Sequence, residues 1–424
     1  MLQLPYGKGF IPFDEAGAQV LTSRVGELKA GQSGRALVRQ ALQNPIASPR
    51  LCELARDKKR CTVIISDHTR PVPSQDILPE LLAELRSQNP GIEVTLLVAT
   101  GFHRPTTADE LRAKLGGELF AAERVAVHDC ADSQSNVAIG ALPSGAPLVI
   151  DRLAADTDLL VSEGFIEPHF FAGFSGGRKS VLPGVCDRVT VLGNHCGAFI
   201  DDPCARTGVL QGNPLHRDMV AAAKLAKLRF IVNVVIDDDK RTAAAFAGDP
   251  FAAHEAGCEF LRGYCEASAD PADVVITTNG GAPLDQNLYQ CVKGLTAAEA
   301  AARPGGVLIL VAECADGTGG DGFYNTLKQC ESPAALYEQL KNTPQNQTIP
   351  DQWESQILAR ILCAHPVIAV TRPALAGIVA DMKMRFAPTL QDALAEARRL
   401  CGAGDAARVA AIPNGVSIIV RPRA

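Results

Sequence analysis

The sequence has few aromatic residues and lacks any apolar run of membrane-spanning length. Aromatic side chains make up 5% of the 424 residues and hydrophobic residues 47%, so aliphatic side chains must form most of the core. No stretch approaches the ~20 consecutive apolar residues that a membrane-spanning helix requires. The N-terminal segment MLQLPYGKGF has no charged leader followed by an apolar run. These absences argue against a membrane protein and predict a globular protein of the cytoplasm.

Basic clusters are also missing. The 41 Lys and Arg residues are outnumbered by 47 Asp and Glu residues, which gives a formal charge of −6. Proteins that bind nucleic acid or anionic lipid need a positive surface to neutralise phosphate groups. The composition therefore predicts neither a nucleic-acid partner nor a membrane partner.

The usual short metal motifs are absent as well. The sequence has 13 cysteines, an odd number, and contains no C-x-x-C, H-x3-H or H-E-x-x-H spacing. A zinc site usually draws two of its three or four ligands from such spacings. A zinc hydrolase would therefore need scattered ligands, and most cysteines are interpreted as small buried apolar residues.

Short apolar runs alternate with helical patterns along the chain. Buried strands are predicted at CTVIIS (61–66), IEVTLLVAT (92–100) and RFIVNVVIDDD (229–239), with further strands at RVAVHD, APLVID and TDLLVSE. Most of these runs are followed by a loop and a helical pattern. Such alternation is typical of right-handed βαβ units and a parallel sheet.

The composition changes near ASADPAD (267–273), and three more strands follow this segment. The sequence therefore predicts an α/β protein with two α/β domains, mainly parallel sheets and an active site in the cleft between them. The predicted N-terminal cofactor-binding domain spans 1–268 and the C-terminal domain spans 269–402. The tail, 403–424, is predicted to return a strand to the first domain.

Polar loops follow three of the predicted strands. DHTRP, GFHRP and EPHFF come directly after apolar runs, so they should meet at the carboxyl edge of one sheet, where α/β proteins bind ligands. His103, His169 and His195 lie in loops rich in Gly, Pro and Arg and are candidate functional groups. The roles of His68 and His216 stay open.

Two glycine motifs carry further chemistry. GFSGGRKS (173–180) resembles a phosphate loop, but Arg178 separates the last glycine from Lys179 and breaks the required spacing. Lys179 is interpreted either as a phosphate-binding cation or as an amine nucleophile whose pKa a neighbouring cation lowers. GTGGDG (317–322) matches a dinucleotide-binding pattern, which alone is a weak signal.

Several motifs together resemble the nickel-dependent lactate racemase family over essentially the whole chain. In order they are DHTRPVP, ATGFHRP, EPHFFAGFSGGRKSVLPG, GNH, GNPLHRD and DQNLYQCVKG. The long central motif is specific, and the shorter motifs support it as a set.

The resemblance implies a nickel-pincer nucleotide, a pyridinium mononucleotide with two sulfur donors and a nickel–carbon bond. It assigns Lys179 as the covalent attachment point and His195 as the protein ligand to nickel. Soft sulfur donors with one imidazole suit Ni(II) in a square-planar site. The other implied cofactor contacts are Asp67, Thr69, Ser175, Gly176, Gly177 and Trp353.

The resemblance also implies racemisation of a 2-hydroxy acid, lactate foremost. His103 and His169 would exchange the hydroxyl proton, one for each enantiomer, while the α-hydrogen leaves as hydride and returns to the other face. The implied substrate contacts are Arg70, Tyr289, Gln290 and Lys293. The implied partners are cofactor-synthesis and nickel-insertion proteins.

Other functions stay open at this point. The near alternative is a racemase or epimerase of another 2-hydroxy acid, whether longer, aromatic, malate or a sugar acid. More remote alternatives are an NAD-dependent dehydrogenase that uses GTGGDG, a scattered-ligand zinc hydrolase, and a carrier that only stores a nickel nucleotide.

Overall fold

The protein was analysed as a computed structural model that describes residues 1–14, 16–29 and 31–423. Its strands, in chain order, are β1 Leu2–Tyr6, β2 Gly9–Phe13, β3 Gln19–Val20, β4 Arg60–Ser66, β5 Glu93–Ala99, β6 Arg124–Val127, β7 Asn136–Ala141, β8 Pro147–Asp151, β9 Leu159–Phe165, β10 Pro168–His169, β11 Gly173–Phe174, β12 Leu228–Ile236, β13 Thr242–Gly248, β14 Glu266–Ala269, β15 Ala272–Thr277, β16 Ala302–Val311, β17 Val367–Val370, β18 Arg385–Ala387, β19 Val409–Ile412 and β20 Ile419–Pro422.

Helices follow most of these strands. They are α1 Gly34–Gln43, α2 Leu51–Ala55, α3 Ser74–Arg86, α4 Ala108–Leu115, α5 Gly117–Ala122, α6 Arg152–Ala155, α7 Arg188–Asn194, α8 Gly197–Asp201, α9 Pro214–Leu225, α10 Ala252–Cys265, α11 Leu288–Ala301, α12 Asp321–Gln329, α13 Pro333–Lys341, α14 Gln352–Ala364, α15 Ala376–Asp381 and α16 Leu390–Leu400. Short 3-10 turns lie at Val25–Glu27, Gly177–Ser180, Gln345–Gln347, Pro373–Leu375 and Gly404–Ala406. Helix α4 begins at a reciprocal capping box formed by Thr107 and Glu110.

The first large sheet, sheet I, has the strand order β13-β12-β9-β4-β5-β6. Its strands run parallel except β13, which pairs antiparallel with β12. The central strand β9 has the sequence LLVSEGF and is buried along its whole length, as expected for a strand covered by helices on both faces. The loop that leaves β9 therefore starts from a rigid position at the middle of the carboxyl edge.

The second large sheet, sheet II, has the order β18-β17-β16-β15-β19-β3 and is parallel throughout. One of its faces packs against the N-terminal hairpin β1–β2, where Leu4 and Phe13 join Val274 and Ile276 in one buried cluster. The prediction of an α/β protein with mainly parallel sheets is confirmed.

Strand pairing differs from the predicted assignment of both chain ends. Residues 19–20 and 409–412 form β3 and β19 of sheet II, whereas the sequence placed 1–268 and the tail with the first domain. The last strand, β20, pairs with β14 rather than with sheet I. β19 has the sequence VAAI and is buried throughout, and such a short apolar run fits the middle of either sheet. The boundary near 268 itself stays a prediction.

One predicted strand of the first half also lies elsewhere. APLVID becomes β8, which pairs antiparallel with β7 in a separate hairpin instead of joining sheet I. Within the described chain, no helix is both long enough and apolar enough to cross a bilayer.

Candidate functional site

The loop after β9 carries three of the predicted functional side chains, those of His169, Ser175 and Lys179. It runs from Glu167 through the two-residue hairpin of β10 and β11 to the 3-10 turn Gly177–Ser180, which contains Lys179. Ser175 fixes the base of this loop, because its hydroxyl donates to the Phe165 carbonyl at 3.0 Å and accepts from Glu167 N–H at 2.9 Å. The loop is thus bonded to the end of β9.

Arg178 holds the loop from inside. Its side chain is 1% exposed and donates to the Phe174 carbonyl at 2.8 Å and the Ala172 carbonyl at 2.7 Å. Burial lowers its pKa to about 10, so it remains a cation at neutral pH. His254 supports the same loop through a bond between its Nε2 and the Ser175 carbonyl at 2.8 Å. Arg178 therefore shapes the backbone rather than facing a ligand.

Arg178→Lys is expected to lower the melting temperature by roughly 5–10 °C, since two charged hydrogen bonds to buried carbonyls lose their fork geometry. Thermal unfolding followed by circular dichroism measures the change. Arg152→Lys is the matched control, because Arg152 is exposed and makes only a surface pair with Asp156 at 3.9 Å. Equal melting temperatures for the two variants would contradict the structural role of Arg178.

Lys179 is buried among other cations. Burial lowers its pKa well below the ordinary value of 10.5, and Arg178, Arg70 and Lys293 lower it further. Its Nζ lies 5.8 Å from the centroid of the Phe171 ring. An uncharged amine is the form that attacks electrophiles. The predicted effect of the neighbouring Arg178 is therefore present, with burial as the larger cause.

His195 ends helix α7 with one ring nitrogen already in use. Nδ1 lies 3.1 Å from the Val191 carbonyl and donates to it, which leaves the lone pair on Nε2. Burial, with a smaller effect of Lys179, lowers the pKa of His195 to about 3, so the ring is neutral. A neutral imidazole oriented by a backbone carbonyl is the usual form of a metal-binding histidine.

A series of ring contacts joins His195 to His169 and to Phe102, the residue before His103. Its ring meets the edge of Trp353 at 5.0 Å and of Phe171 at 5.3 Å. Phe171 in turn lies 4.5 Å from the His169 ring, and Trp353 lies 6.1 Å from Phe102, the residue before His103. The structure thus brings His169, His195 and Trp353 into one aromatic cluster, with His103 outside it.

His169 has a strongly perturbed environment. Burial lowers its pKa well below 6.5, and Lys179, Lys293 and Arg70 lower it further. Ala172 N–H donates to its Nδ1 at 3.3 Å, so Nε2 is the nitrogen left for a ligand. His169 is therefore neutral at physiological pH and close to three basic side chains.

His103 is oriented by a buried carboxylate. Its Nδ1 donates to Asp67 at 2.7 Å, and Thr69 donates to the other oxygen of Asp67 at 2.8 Å. Burial raises the pKa of Asp67, but the bonds from His103 and Thr69 outweigh burial and lower it below its usual range. This arrangement leaves Nε2 of His103 free to take a proton.

Helix α11 brings the predicted substrate contacts from the second domain. Lys293 Nζ donates to Gln290 Oε1 at 2.6 Å, and the Tyr289 hydroxyl donates to Asp351 at 2.9 Å. Burial lowers the pKa of Lys293, and Arg70 lowers it further. The GTGGDG loop supports this helix, because its carbonyls at 317 and 318 accept from the first N–H groups of α11 at 3.0 and 3.1 Å.

A small cavity of about 60 Å³ lies where these elements meet. It is lined by residues of both predicted domains, including Arg70, Glu167, His169, Phe170, Lys293 and Val416. Two cations and one neutral imidazole on one small cavity suit a short carboxylic acid that carries a further oxygen.

Two acidic residues near this cavity were missed by the sequence analysis. Burial raises the pKa of Glu167, opposed by Arg70 and Lys293, and burial raises the pKa of Glu354 to about 8, opposed by Lys293. Oε1 of Glu354 has no hydrogen-bond partner among the described residues. In the sequence, Glu167 lies two residues before His169 and Glu354 directly follows Trp353. This proximity to two predicted site residues is the sequence feature that could have identified both glutamates.

The predicted cradle at Ser175, Gly176 and Gly177 is filled by protein atoms. Gly177 N–H donates to Asn233 at 2.7 Å, and a Cβ on Gly176 would lie 2.7 Å from the same side chain. Both Ser175 bonds are internal to the loop. The cofactor role of these three residues stays a prediction, and the contacts give them a packing role.

His68 and His216, whose roles the sequence leaves open, do not line the small cavity. His68 Nδ1 lies 3.0 Å from the Thr106 hydroxyl. Burial, with a smaller effect of Arg178, lowers the pKa of His216 to about 3, which places His216 near that arginine. Neither contact indicates a ligand.

Within the described residues, no group of three or more His, Cys, Asp or Glu side chains is arranged to hold a metal ion. The described part of the chain thus offers His195 as an oriented ligand, near the buried amine of Lys179, whose pKa burial lowers. This donor set fits a metal whose other ligands come from a bound cofactor, because His195 keeps one free lone pair and Lys179 keeps a free amine.

Comparison with known proteins places this geometry in a family. The family profile described as the lactate racemase N-terminal domain matches residues 6–208, and the one described as the lactate racemase C-terminal domain matches residues 267–420. The lactate racemase of Thermoanaerobacterium thermosaccharolyticum is 50% identical, covering 100% of this chain and 99% of that protein. The lactate racemase of Lactiplantibacillus plantarum is 49% identical, with 99% of each chain covered.

Solved structures agree with the sequence comparison. The lactate racemase apoprotein from T. thermosaccharolyticum superposes with a TM-score of 0.95 over 99% of each chain, at 50% identity. A protein from Thermotoga maritima shares the fold, with a TM-score of 0.67 at 18% identity over 92% of this chain and 98% of that one. The chain therefore belongs to the lactate racemase family of isomerases.

Proposed function

We propose that this protein interconverts the two enantiomers of lactate. The observation that carries the proposal is the small cavity on which Arg70, Lys293 and neutral His169 converge. Its volume of about 60 Å³ suits a three-carbon acid. Aromatic and sugar acids carry more heavy atoms than lactate, so a cavity this small makes them the less favoured alternatives.

Each side chain has a defined task in this proposal. Arg70 and Lys293 hold the carboxylate and the hydroxyl oxygen, where a cation stabilises developing negative charge. His103 and His169 remove and return the hydroxyl proton, each through the Nε2 that the contact of its Nδ1 leaves unbonded. Burial by Phe170 and Phe171 excludes water from the reacting carbon.

The residues beside the cavity fit a tethered nickel-pincer nucleotide. Lys179 would hold it covalently, His195 would ligate its nickel, and Trp353 would flank it. When bound, this cofactor would accept the α-hydrogen as hydride and return it. The tether and the nickel site are proposals that rest on the buried amine of Lys179, whose pKa is lowered, and on the free lone pair of His195. Cofactor-synthesis and nickel-insertion proteins of the cytoplasm would be the partners.

The test is an enantiomer assay on protein produced together with its maturation proteins. Pure D-lactate and pure L-lactate should each yield the racemate. Malate, a longer aliphatic acid, an aromatic acid and a sugar acid are assayed in parallel. Turnover of one of these acids without turnover of lactate would overturn the choice of substrate, and net accumulation of keto acid with free NAD would favour a dehydrogenase.

Asp67→Asn is expected to lower the racemisation rate by about 10²–10⁴-fold, because His103 loses the carboxylate that fixes its tautomer. The acidic limb of the pH–rate profile should also move to lower pH, since an imidazolium is less stable beside a neutral amide than beside a carboxylate. Asp109→Asn is the control, because Asp109 is 94% exposed. An unchanged pH profile in Asp67→Asn would contradict the coupling between Asp67 and His103.

A further inference from the structure

Glu354 is a buried acid that the proposed activity does not use. Its side chain is 1% exposed and lies in the first turn of α14. Oε1 has no hydrogen-bond partner, and the carboxyl forms no ion pair in the part of the chain that the structure describes. A buried carboxyl without partners makes folding less favourable, so packing alone does not explain this residue.

Two helices bring Glu354 close to Lys293. α11 packs against α14, and the Tyr289 hydroxyl donates to Asp351 at 2.9 Å where the two helices begin. Lys293 lies four residues after Tyr289, one turn further along α11 on the same side. Glu354 lies three residues after Asp351, in the first turn of α14. Both side chains therefore belong to one contact between the helices.

Lys293 lines the small cavity and bonds only a neutral acceptor. Its Nζ donates to Gln290 Oε1 at 2.6 Å. Burial lowers the pKa of Lys293, and Arg70 lowers it further, whereas Glu354 and then Glu167 oppose this effect. A lysine that has lost its proton no longer holds a carboxylate by charge. The binding role of Lys293 thus depends on an acid nearby.

The charge of Glu354 develops in the pH range in which Lys293 needs it. Burial, opposed by Lys293 and assisted by Asp351, raises the pKa of Glu354 to about 8. Below this pH the carboxyl is mostly neutral, and a buried charge is avoided. Above it, the carboxylate favours the protonated form of Lys293.

The other titratable groups around this pair do not replace Glu354. They are Arg70, Glu167, His169, Lys179, Tyr289, Cys291 and Asp351. Glu167 is shared among Arg70 and three lysines, and Asp351 already accepts from Tyr289. Burial raises the pKa of Tyr289, and contact with a neighbouring thiol raises that of Cys291, so both stay neutral. Glu354 is therefore the acid that acts mainly on Lys293.

We propose that Glu354 is a positioning residue that keeps Lys293 protonated, and so able to hold the substrate carboxylate, on the alkaline side of neutrality. The inference rests on the proposed function in one respect, which is that Lys293 binds the substrate. Glu354 acts through the charge of Lys293 and not by contact with the substrate. An unpartnered buried acid is thus retained for its effect on a neighbouring cation.

Glu354→Gln removes the charge and keeps the shape of the side chain. In matured protein, the alkaline limb of the pH profile of kcat/KM for lactate should move to lower pH by about one unit or more, since Lys293 loses its proton earlier. At about pH 9 this corresponds to a loss of roughly tenfold, expressed more in KM than in kcat. Glu354→Asp retains the charge and should keep the limb near its parent position.

Glu331→Gln is the matched control, because Glu331 is exposed between α12 and α13 and forms no ion pair in the described chain. It should leave the pH profile unchanged. An unmoved alkaline limb in Glu354→Gln would overturn the proposal. An equal loss of kcat/KM at every pH would also overturn it, because Glu354 would then act on the substrate, the cofactor or the fold rather than on the charge of Lys293.

Thermal unfolding of the chain produced without maturation proteins tests the pair independently of turnover. The parent, Lys293→Met, Glu354→Gln and the double variant are compared at about pH 9, where each single change leaves one buried group without the other. The double variant should melt at least about 2 °C higher than the sum of the single changes predicts. Additive changes would overturn the coupling between Glu354 and Lys293.

The two measurements separate this inference from the proposed function. Additive melting temperatures together with racemisation of lactate would refute the role of Glu354 and leave the proposed function standing. Coupled melting temperatures without turnover of lactate would refute the proposed function and keep the effect of Glu354 on Lys293.

Discussion

Lys179→Met is expected to abolish racemisation and, at the same time, to make the protein more stable at neutral pH. The activity should fall by at least about 10³-fold, the scale seen when an enzyme loses its nucleophile. Intact mass of protein matured with its partner proteins should show no adduct. The loss follows from the proposed attachment of the cofactor at Lys179, a buried amine near His195 whose pKa burial lowers.

The gain in stability follows from the pKa of the same lysine. Lys179 is protonated in the unfolded chain up to the ordinary value of 10.5, whereas burial and Arg178 lower its pKa in the folded state. Between the two pKa values the unfolded chain binds more protons, so folding is less favourable there than with a neutral side chain. Methionine removes this cost and fills a similar volume. The melting temperature should therefore rise by roughly 2–4 °C at pH 7.

The pH dependence of the change in melting temperature tests whether the pKa of Lys179 is its cause. The stabilisation should shrink as pH rises towards 10.5, where the unfolded chain also loses its proton. Lys58→Met at an exposed position should change neither the melting temperature nor its pH dependence. A Lys179→Met protein that melts lower than the parent at pH 7 would show that Lys179 stabilises the fold, and an adduct in this variant would refute the tether.

Sequence patterns identified the strands that are apolar along their length. β4 and β5 lie within one residue of their predicted limits, and β12 ends three residues before its predicted end at 239, because buried parallel strands have continuous apolar sequences and the three aspartates at 237–239 are not apolar. The same rule could not assign β19 or β3 to a sheet, since pairing depends on contacts between residues about 390 apart in sequence. β8 was predicted as a strand, and only its partner was wrong.

For the candidate site, too, local sequence patterns identified residues but not their tertiary contacts. The motifs drew attention to Lys179, His195 and His169, and the structure brings them together around Phe171. Arg178 looked like part of a ligand site from its sequence neighbours, yet its guanidinium is buried and bonded to backbone carbonyls. Side-chain direction within a loop depends on its tertiary contacts, which short patterns do not contain.

His103→Gln and His169→Gln are each expected to lower racemisation by about 10²–10⁴-fold, the usual contribution of a general base. The loss must be the same in both directions. The two lactate enantiomers have equal free energy, so kcat/KM for D-lactate and for L-lactate must stay equal in every variant. Steady-state rates alone therefore cannot separate two bases from one.

A single turnover can separate them. In the two-base proposal each histidine serves one enantiomer, so a variant that lacks one base still oxidises the enantiomer served by the other. Mixing matured variant with a single enantiomer and quenching should give keto acid from one enantiomer with His103→Gln and from the opposite one with His169→Gln. His128→Gln is the control for general damage, because that buried histidine binds Asp151 at 3.0 Å away from the small cavity.

The structure gives a reason to expect this asymmetry. Nε2 of His103 is oriented by Asp67 from outside the aromatic cluster, whereas His169 lies within it beside Lys179 and Lys293. The two rings belong to loops that leave different strands of sheet I, so they approach a bound acid from different directions. Keto acid from the same enantiomer in both variants would mean that one histidine acts on both enantiomers. The other would then only position the substrate, and its conservative variant should change KM more than kcat.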